Sequence, residues 1–179
     1  MARGPSVAIY GVMKKLPAAS FALLLALALP CADALAACTD PAAPGVGWRR
    51  CYHDGRDYAG ADLTGAELRE ATFTRARLGG AKLEGVDAYR GKFLSTDLAG
   101  AMLARARLIE ADLTRAVLAK ADLSGADLRN AKLVGTDLKG AVLTGARLEG
   151  ADLRNAELTG ATWIDGKRIC SEGSVGQCH

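Results

Sequence analysis

The sequence predicts an all-β solenoid made by stacking short straight sides of chain joined by corners, and three observations predict it. A five-residue unit, roughly A-(D/x)-L-x-G, runs from Ala61 to Trp163 without an insertion or deletion. Its third slot is large and apolar: Leu in 17 of 21 units, with Phe73, Ala88, Phe93 and Trp163 as the exceptions. The charges in its second slot pair off in opposite sign at a spacing of 20 residues.

A period of five suits neither common element. On an α-helix, residues five apart are rotated by about 140°, so the leucines would spiral around the axis and form no stripe. On a flat strand five is odd, so successive leucines would alternate between faces. A chain that buries every Leu must therefore turn once per unit. The fifth slot supplies the corners: it is Gly in ten of 21 units, and Asn130 and Asn155 are further residues that accept positive φ. Units that cannot bury an apolar face alone must stack, which makes a solenoid.

The second-slot charges set the number of units per coil. If four units close a coil, residues 20 apart lie one above the other. At that spacing nine of 18 pairs are opposite in sign and only two, 67/87 and 137/157, are alike. At spacings of 15 or 25 there are four opposite and seven like pairs in each case. Opposite charges across a ladder help and like charges hurt by roughly 0.2–1 kcal/mol per pair, so four units per coil is the expectation. Exposed pairs add little stability singly; the ladder acts first as a register device.

Runs such as ADLSGADLRNAKLVGTDLKGAVLTGARLEGADLRNAEL resemble the pentapeptide-repeat family. The resemblance implies a right-handed quadrilateral β-helix with the central Leu or Phe and the preceding Ala pointing inward. From Arg56 to Asp165 there are 110 residues, or 5.5 coils, so about five full coils. At about 4.8 Å per coil that rod is roughly 26 Å long. Phe73 and Phe93 are 20 apart and should stack in the core, whereas Ala88 should leave a local deficit or bulge that Phe93 helps to fill.

The flanks predict the domain organisation: 1–36 a signal peptide, 37–57 an N-terminal cap, 58–165 the β-helix and 166–179 a C-terminal cap. Lys14 and Lys15 precede an apolar run from Leu16 to Leu29 and an Ala34-Leu35-Ala36 cleavage site. The run is too short for a membrane span, so no transmembrane helix is expected after signal removal. Met13 opens a more ordinary signal and is an alternative start. Leu35-Ala36-Ala37-Cys38 also fits a lipobox, which keeps a lipid-anchored envelope component open as an alternative; Asp33 and the isolation of Cys51 weigh against it. Removal of the signal leaves Cys38, Cys51, Cys170 and Cys178. The expected rod sets the two pairs at opposite ends, too far apart for cross-bridges, which leaves Cys38–Cys51 and Cys170–Cys178 as cap disulfides. Trp48 and Trp163 are positioned to lid the two ends.

Chemistry is sparse. Without residues 1–36 the chain has 20 basic and 19 acidic residues, with signs interleaved, so no basic stripe for nucleic acid is expected. Quinolone-resistance members of the family mimic DNA with an acidic surface and bind gyrase; this chain departs from them in charge balance and compartment. Cys51-x-His53 and Cys178-His179 could be written as metal ligands, yet they lie at opposite ends and a closed zinc site needs four convergent ligands. The expectation there is disulfide cysteines beside solvated histidines. No nucleophile–base set assembles, and the carboxylates stand in a repeating ladder without the distinct environments acid–base work needs. No catalytic, metal or cofactor site is expected.

What remains is a surface. One side of the coil carries a dense mixed-charge face with Tyr89 and Ile109 within it, and the next shows Leu94 and Val134. Tyr89, Leu94, Ile109 and Val134 are the candidate interaction surface, for a protein partner the sequence leaves unnamed or for a homodimer by end or side stacking. The functional expectation is a non-catalytic exported scaffold of the periplasm or cell envelope.

Overall fold

The computed structural model describes residues 38–179; the expected signal segment, with its alternative start and cleavage site, lies outside the described residues. Parallel bridges join residues 20 apart in unbroken succession, from Gly47↔Glu67 to Val142↔Thr162. The bridged residue is always the second slot. Its N–H bonds back to the layer before, as in Glu67 N–H to Val46 carbonyl at 2.9 Å. The third- and fifth-slot N–H groups bond forward, as from Leu63 to Lys82 at 2.8 Å and from Gly65 to Glu84 at 2.9 Å. The first-slot N–H closes the corner, Ala66 to Leu63 at 3.0 Å. Four of every five backbone donors are thereby satisfied by the fold itself.

The corner needs a positive φ at the fifth slot, and the chain meets this need with more than Gly and Asn. Arg105, Glu110, Arg115 and Lys120 occupy four successive corners at φ 57–59°, each at a cost of roughly 1–2 kcal/mol relative to Gly. Stacking above and below over-determines the turn and sustains that strain.

First- and third-slot side chains share one face of each short side and fill the interior: Ala66, Leu68, Ala71 and Phe73 are all 0% exposed. The Phe73 and Phe93 rings stack at 5.3 Å and 2°. Around Ala88 the expected bulge is absent, because the ladder passes through Asp87↔Arg107 and Lys92↔Asp112 without interruption. Two exchanges of volume account for this. Val86 stands in the Ala slot beside the small Ala88, and Gly91 stands in the Ala slot beside the large Phe93, both buried. A Cβ on Gly91 would lie 2.7 Å from Phe93 Cε2.

The N-terminal boundary is corrected. The ladder begins at Gly47, ten residues inside the segment expected as a cap. Trp48, His53 and Tyr58 take the third-slot positions beneath Leu68, Phe73 and Leu78, and His53 stacks on Phe73 at 5.1 Å and 15°. At the other end the chain doubles back in antiparallel bridges Thr162↔Ile169 and Glu157↔Val175, which cover part of the terminal edge.

Candidate functional site

The outer ladders explain the Asp of the repeat. The one backbone donor that the fold leaves over is the fourth-slot N–H. All nine aspartates in the second slot, from Asp57 to Asp152, accept it through Oδ1 at 2.9–3.4 Å. This is an Asx turn. Glu67 and Glu157, one methylene longer, do not make it. Hydrogen bonds from Thr64 hold the Asp62 carboxyl below its ordinary value, with Lys82 adding to the effect. The Arg129 guanidinium does the same for Asp127.

Five of the nine opposite-sign ladder pairs close to ion pairs: 57/77, 62/82, 87/107, 112/132 and 127/147. The two like-charged stacks are relieved diagonally by residues 18 apart. Arg49 reaches Glu67 at 2.8 Å, Arg69 reaches Asp87 at 3.9 Å, and Lys139 pairs with Glu157. Charge is concentrated on the face expected to be mixed. Among the described residues, eight of thirteen ion pairs lie there, so its charges are mostly spent on one another.

The four candidate surface residues all stand in the fourth slot of their units. Tyr89, Leu94, Ile109 and Val134 are each half-buried, because taller charged neighbours in the second and fifth slots flank the fourth-slot position. The Tyr89 ring is enclosed by Arg90, Arg69 and Arg107, whose guanidinium carbons lie 4.9, 5.3 and 6.0 Å from its centroid. Its hydroxyl donates to Glu110 at 3.4 Å. Such cation–π contacts anchor the arginines of the network. The most exposed large apolar residues are others: Tyr52, Met102, Val117, Ile164, Ile169 and Val175. Met102 and Val117 could have been found as apolar residues in the second slot, which is charged in most units.

The disulfides join Cys38 to Cys51 and Cys170 to Cys178, with Cα–Cα distances of 5.4 and 4.9 Å. His53 corrects the expectation of a solvated histidine. It is 1% exposed, packed against Trp48 at 4.1 Å, with Nδ1 sharing a hydrogen bond with the Tyr58 hydroxyl at 2.6 Å. Burial, aided by Arg56, lowers its pKa to about 4, so it is neutral near pH 7. No group of His, Cys, Asp and Glu among the described residues converges to hold a metal ion, and no helix among them is long and apolar enough to cross a membrane.

Comparison with known proteins follows this geometry. The family model for pentapeptide repeats matches residues 59–87, 92–130 and 121–160 in eight copies. Comparison with curated proteins gives no match. Among solved structures, the chain is similar to HetL, a pentapeptide repeat protein involved in heterocyst differentiation regulation in Nostoc sp. strain PCC 7120. The identity is 24%, over 69% of this chain and 92% of that one, with a TM-score of 0.32. It is similar to full-length QnrB1, a plasmid-mediated fluoroquinolone resistance protein, at 21% identity over 66% and 75% of the two chains, TM-score 0.35. A pentapeptide repeat protein of the Arabidopsis thaliana thylakoid lumen matches at 24% identity over 73% and 85%, TM-score 0.23. With more than half of its length matched by the family model, over the same units whose second slots bridge and whose third slots fill the core, this chain belongs to the pentapeptide-repeat family.

Proposed function

We propose that this chain is a non-catalytic exported scaffold, cleaved near Ala36 and working in the periplasm or cell envelope by presenting its outer faces and ends to a protein partner. Its frame is a right-handed quadrilateral β-helix of about five coils with four repeats per coil, a reading supported by the 20-residue bridge spacing. The observation that carries export is the pair of disulfides, one at each end of the repeat, because structural disulfides belong to oxidising compartments. The Cys38–Cys51 bond also occupies the sulfur that a lipid anchor on Cys38 would need. A non-catalytic role is supported by the use of the interior: the first and third slots are given over to packing, and most outer carboxylates are engaged by backbone amides or cations.

Cell fractionation followed by intact-mass measurement and thiol alkylation without reductant tests this reading. The expected product is an envelope protein beginning at Ala37, with two disulfides and no alkylatable thiol. A cytosolic protein with reactive thiols, or an acylated Cys38, would overturn it.

A further inference from the structure

The C-terminal end of the helix carries an unfinished ladder. One coil earlier, the N–H groups of Leu128, Asn130, Leu133 and Gly135 bond to the carbonyls of Arg147, Glu149, Asp152 and Arg154 at 2.8–3.0 Å. Their successors, the N–H groups of Leu148, Gly150, Leu153 and Asn155, have no acceptor among the described residues, and the carbonyls of Ala146 and Ala151 have no donor. The cap covers the other two sides only: carbonyls of Ser174, Cys170 and Arg168 accept from Leu158, Gly160 and Trp163. The core is open where the ladder is open. Leu148 and Leu153 are half-buried, whereas Leu128, Leu133 and Leu138 are all 0% exposed.

The cap has an unpaired edge of its own. Ile169 and Val175 bridge to Thr162 and Glu157 through their neighbours' backbone groups. Their own N–H and C=O groups face away and have no backbone partner among the described residues, and the two residues are 57% and 49% exposed. The end is thus a step: one added layer over two sides, one missing layer over the other two.

We propose that this step is a self-complementary interface, in which the cap of each copy fills the open two sides of a second copy. A half-turn about an axis perpendicular to the helix places Ile169 of one copy over Arg147 of the other, and Val175 over Asp152. Ile169 then donates to Ala146 and accepts from Leu148, while Val175 donates to Ala151 and accepts from Leu153. This is the bonding that Arg147 and Asp152 themselves provide to the coil before them. Each copy offers two donors and two acceptors where the other lacks them, which is what an isologous contact requires. Edge-to-edge pairing of this kind is the standard way an open sheet edge recruits a strand. A second copy suits the site better than a flexible peptide, since both edges are already ordered and association need not offset the entropy of ordering a strand.

The experiment is sedimentation equilibrium over a concentration series, on protein purified from cells expressing the full chain, combined with amide hydrogen exchange. The expected result is a reversible dimer, with protection at Leu148 and Leu153 rising as the dimer forms. Ile169→Pro and Val175→Pro each remove an N–H that has no partner within one copy, at an edge where proline is tolerated. Each should weaken dimerisation by about tenfold or more while leaving protection at Trp163 and Cys170 unchanged. Ile169→Asp, which alters only an exposed side chain, should weaken it in the same direction. A protein that stays monomeric throughout, a dimer indifferent to all three substitutions, or protection at Leu148 and Leu153 independent of concentration would each overturn the proposal.

Discussion

Replacing Gly91 by Ala restores the residue the repeat prefers, and it should nonetheless destabilise the protein. Elsewhere in a strand a Gly→Ala change stabilises by about 0.4–1 kcal/mol through the unfolded chain. Here the new Cβ would stand 2.7 Å from Phe93 Cε2 and 3.0 Å from the Ala88 carbonyl. The ring cannot swing clear, because it is stacked against Phe73 at 5.3 Å and is 2% exposed. Overpacking of this kind costs about 1–3 kcal/mol, which exceeds the backbone gain. Phe93→Leu alone leaves a void beside Phe73 and should cost about 1–2 kcal/mol, below the range for complete removal of a buried ring. The double substitution rebuilds the ordinary A-x-L unit, so the two costs should not add. The coupling is expected to be about 1–3 kcal/mol in favour of the double variant. Urea unfolding of the four proteins, disulfides intact, measures it. Additivity to within about 0.5 kcal/mol would mean that the Gly91–Phe93 exchange is not what carries the ladder past Ala88.

Three further perturbations have definite outcomes. His53 titrates near 4 in the fold and near 6.5 unfolded, so the unfolded chain binds more protons between those values. Stability should therefore fall as pH drops from 6.5 to about 4, by up to about 3 kcal/mol, and His53→Gln should flatten that slope in pH-dependent urea melts. Asp97 accepts from the Ala99 N–H at 3.0 Å and belongs to no ion pair among the described residues, so Asp97→Ala should cost about 0.5–1.5 kcal/mol with no dependence on salt. Asp97→Glu, which keeps the charge but not the reach, should cost as much; full stability in that variant would show that the slot needs only charge. Removing the Cys170–Cys178 bond, which spans eight residues, should cost about 2.5 kcal/mol, and removing Cys38–Cys51, which spans 13, about 3 kcal/mol by loop entropy; thermal melts of the paired Cys→Ser variants test the order.

The period and the register were legible because each is written redundantly. A slot that is Leu in 17 of 21 units states its burial many times over, and opposite charges 20 apart name their stacking neighbours directly. What escaped the sequence is what departs from the period or uses the backbone. Trp48, His53 and Tyr58 keep the spacing but not the residue type, so the first layer read as a cap. The Asx bond was invisible because Asp had been counted as a charge, and only the leftover fourth-slot N–H reveals its second use. Tyr89 and Ile109 could be placed within the charged face, but that arginine and glutamate stems rise around them to half-bury them depends on side-chain height, which the period does not encode. Ala88 looked like a defect because its compensation sits in different slots, at Val86, Gly91 and Phe93.

These assignments also bound where partner specificity can reside. The first and third slots are Ala and Leu almost throughout, so the interior carries no information that distinguishes this chain from any other solenoid of the same period. Second-slot aspartates are held by the backbone amide two residues on, and much of the second- and fifth-slot charge is neutralised by neighbours in adjacent layers. A partner that competed for those groups would have to break paired interactions, gaining little for exposed charges. Of the six most exposed large apolar residues, four lie towards the ends, Tyr52 in the first layer and Ile164, Ile169 and Val175 at the last, while Met102 and Val117 stand mid-ladder. Burial of apolar surface contributes roughly 25 cal/mol per Å², and unpaired backbone groups at an open edge add direction to it. If the chain works as the scaffold proposed above, its partner should therefore engage the ends more than the charged faces.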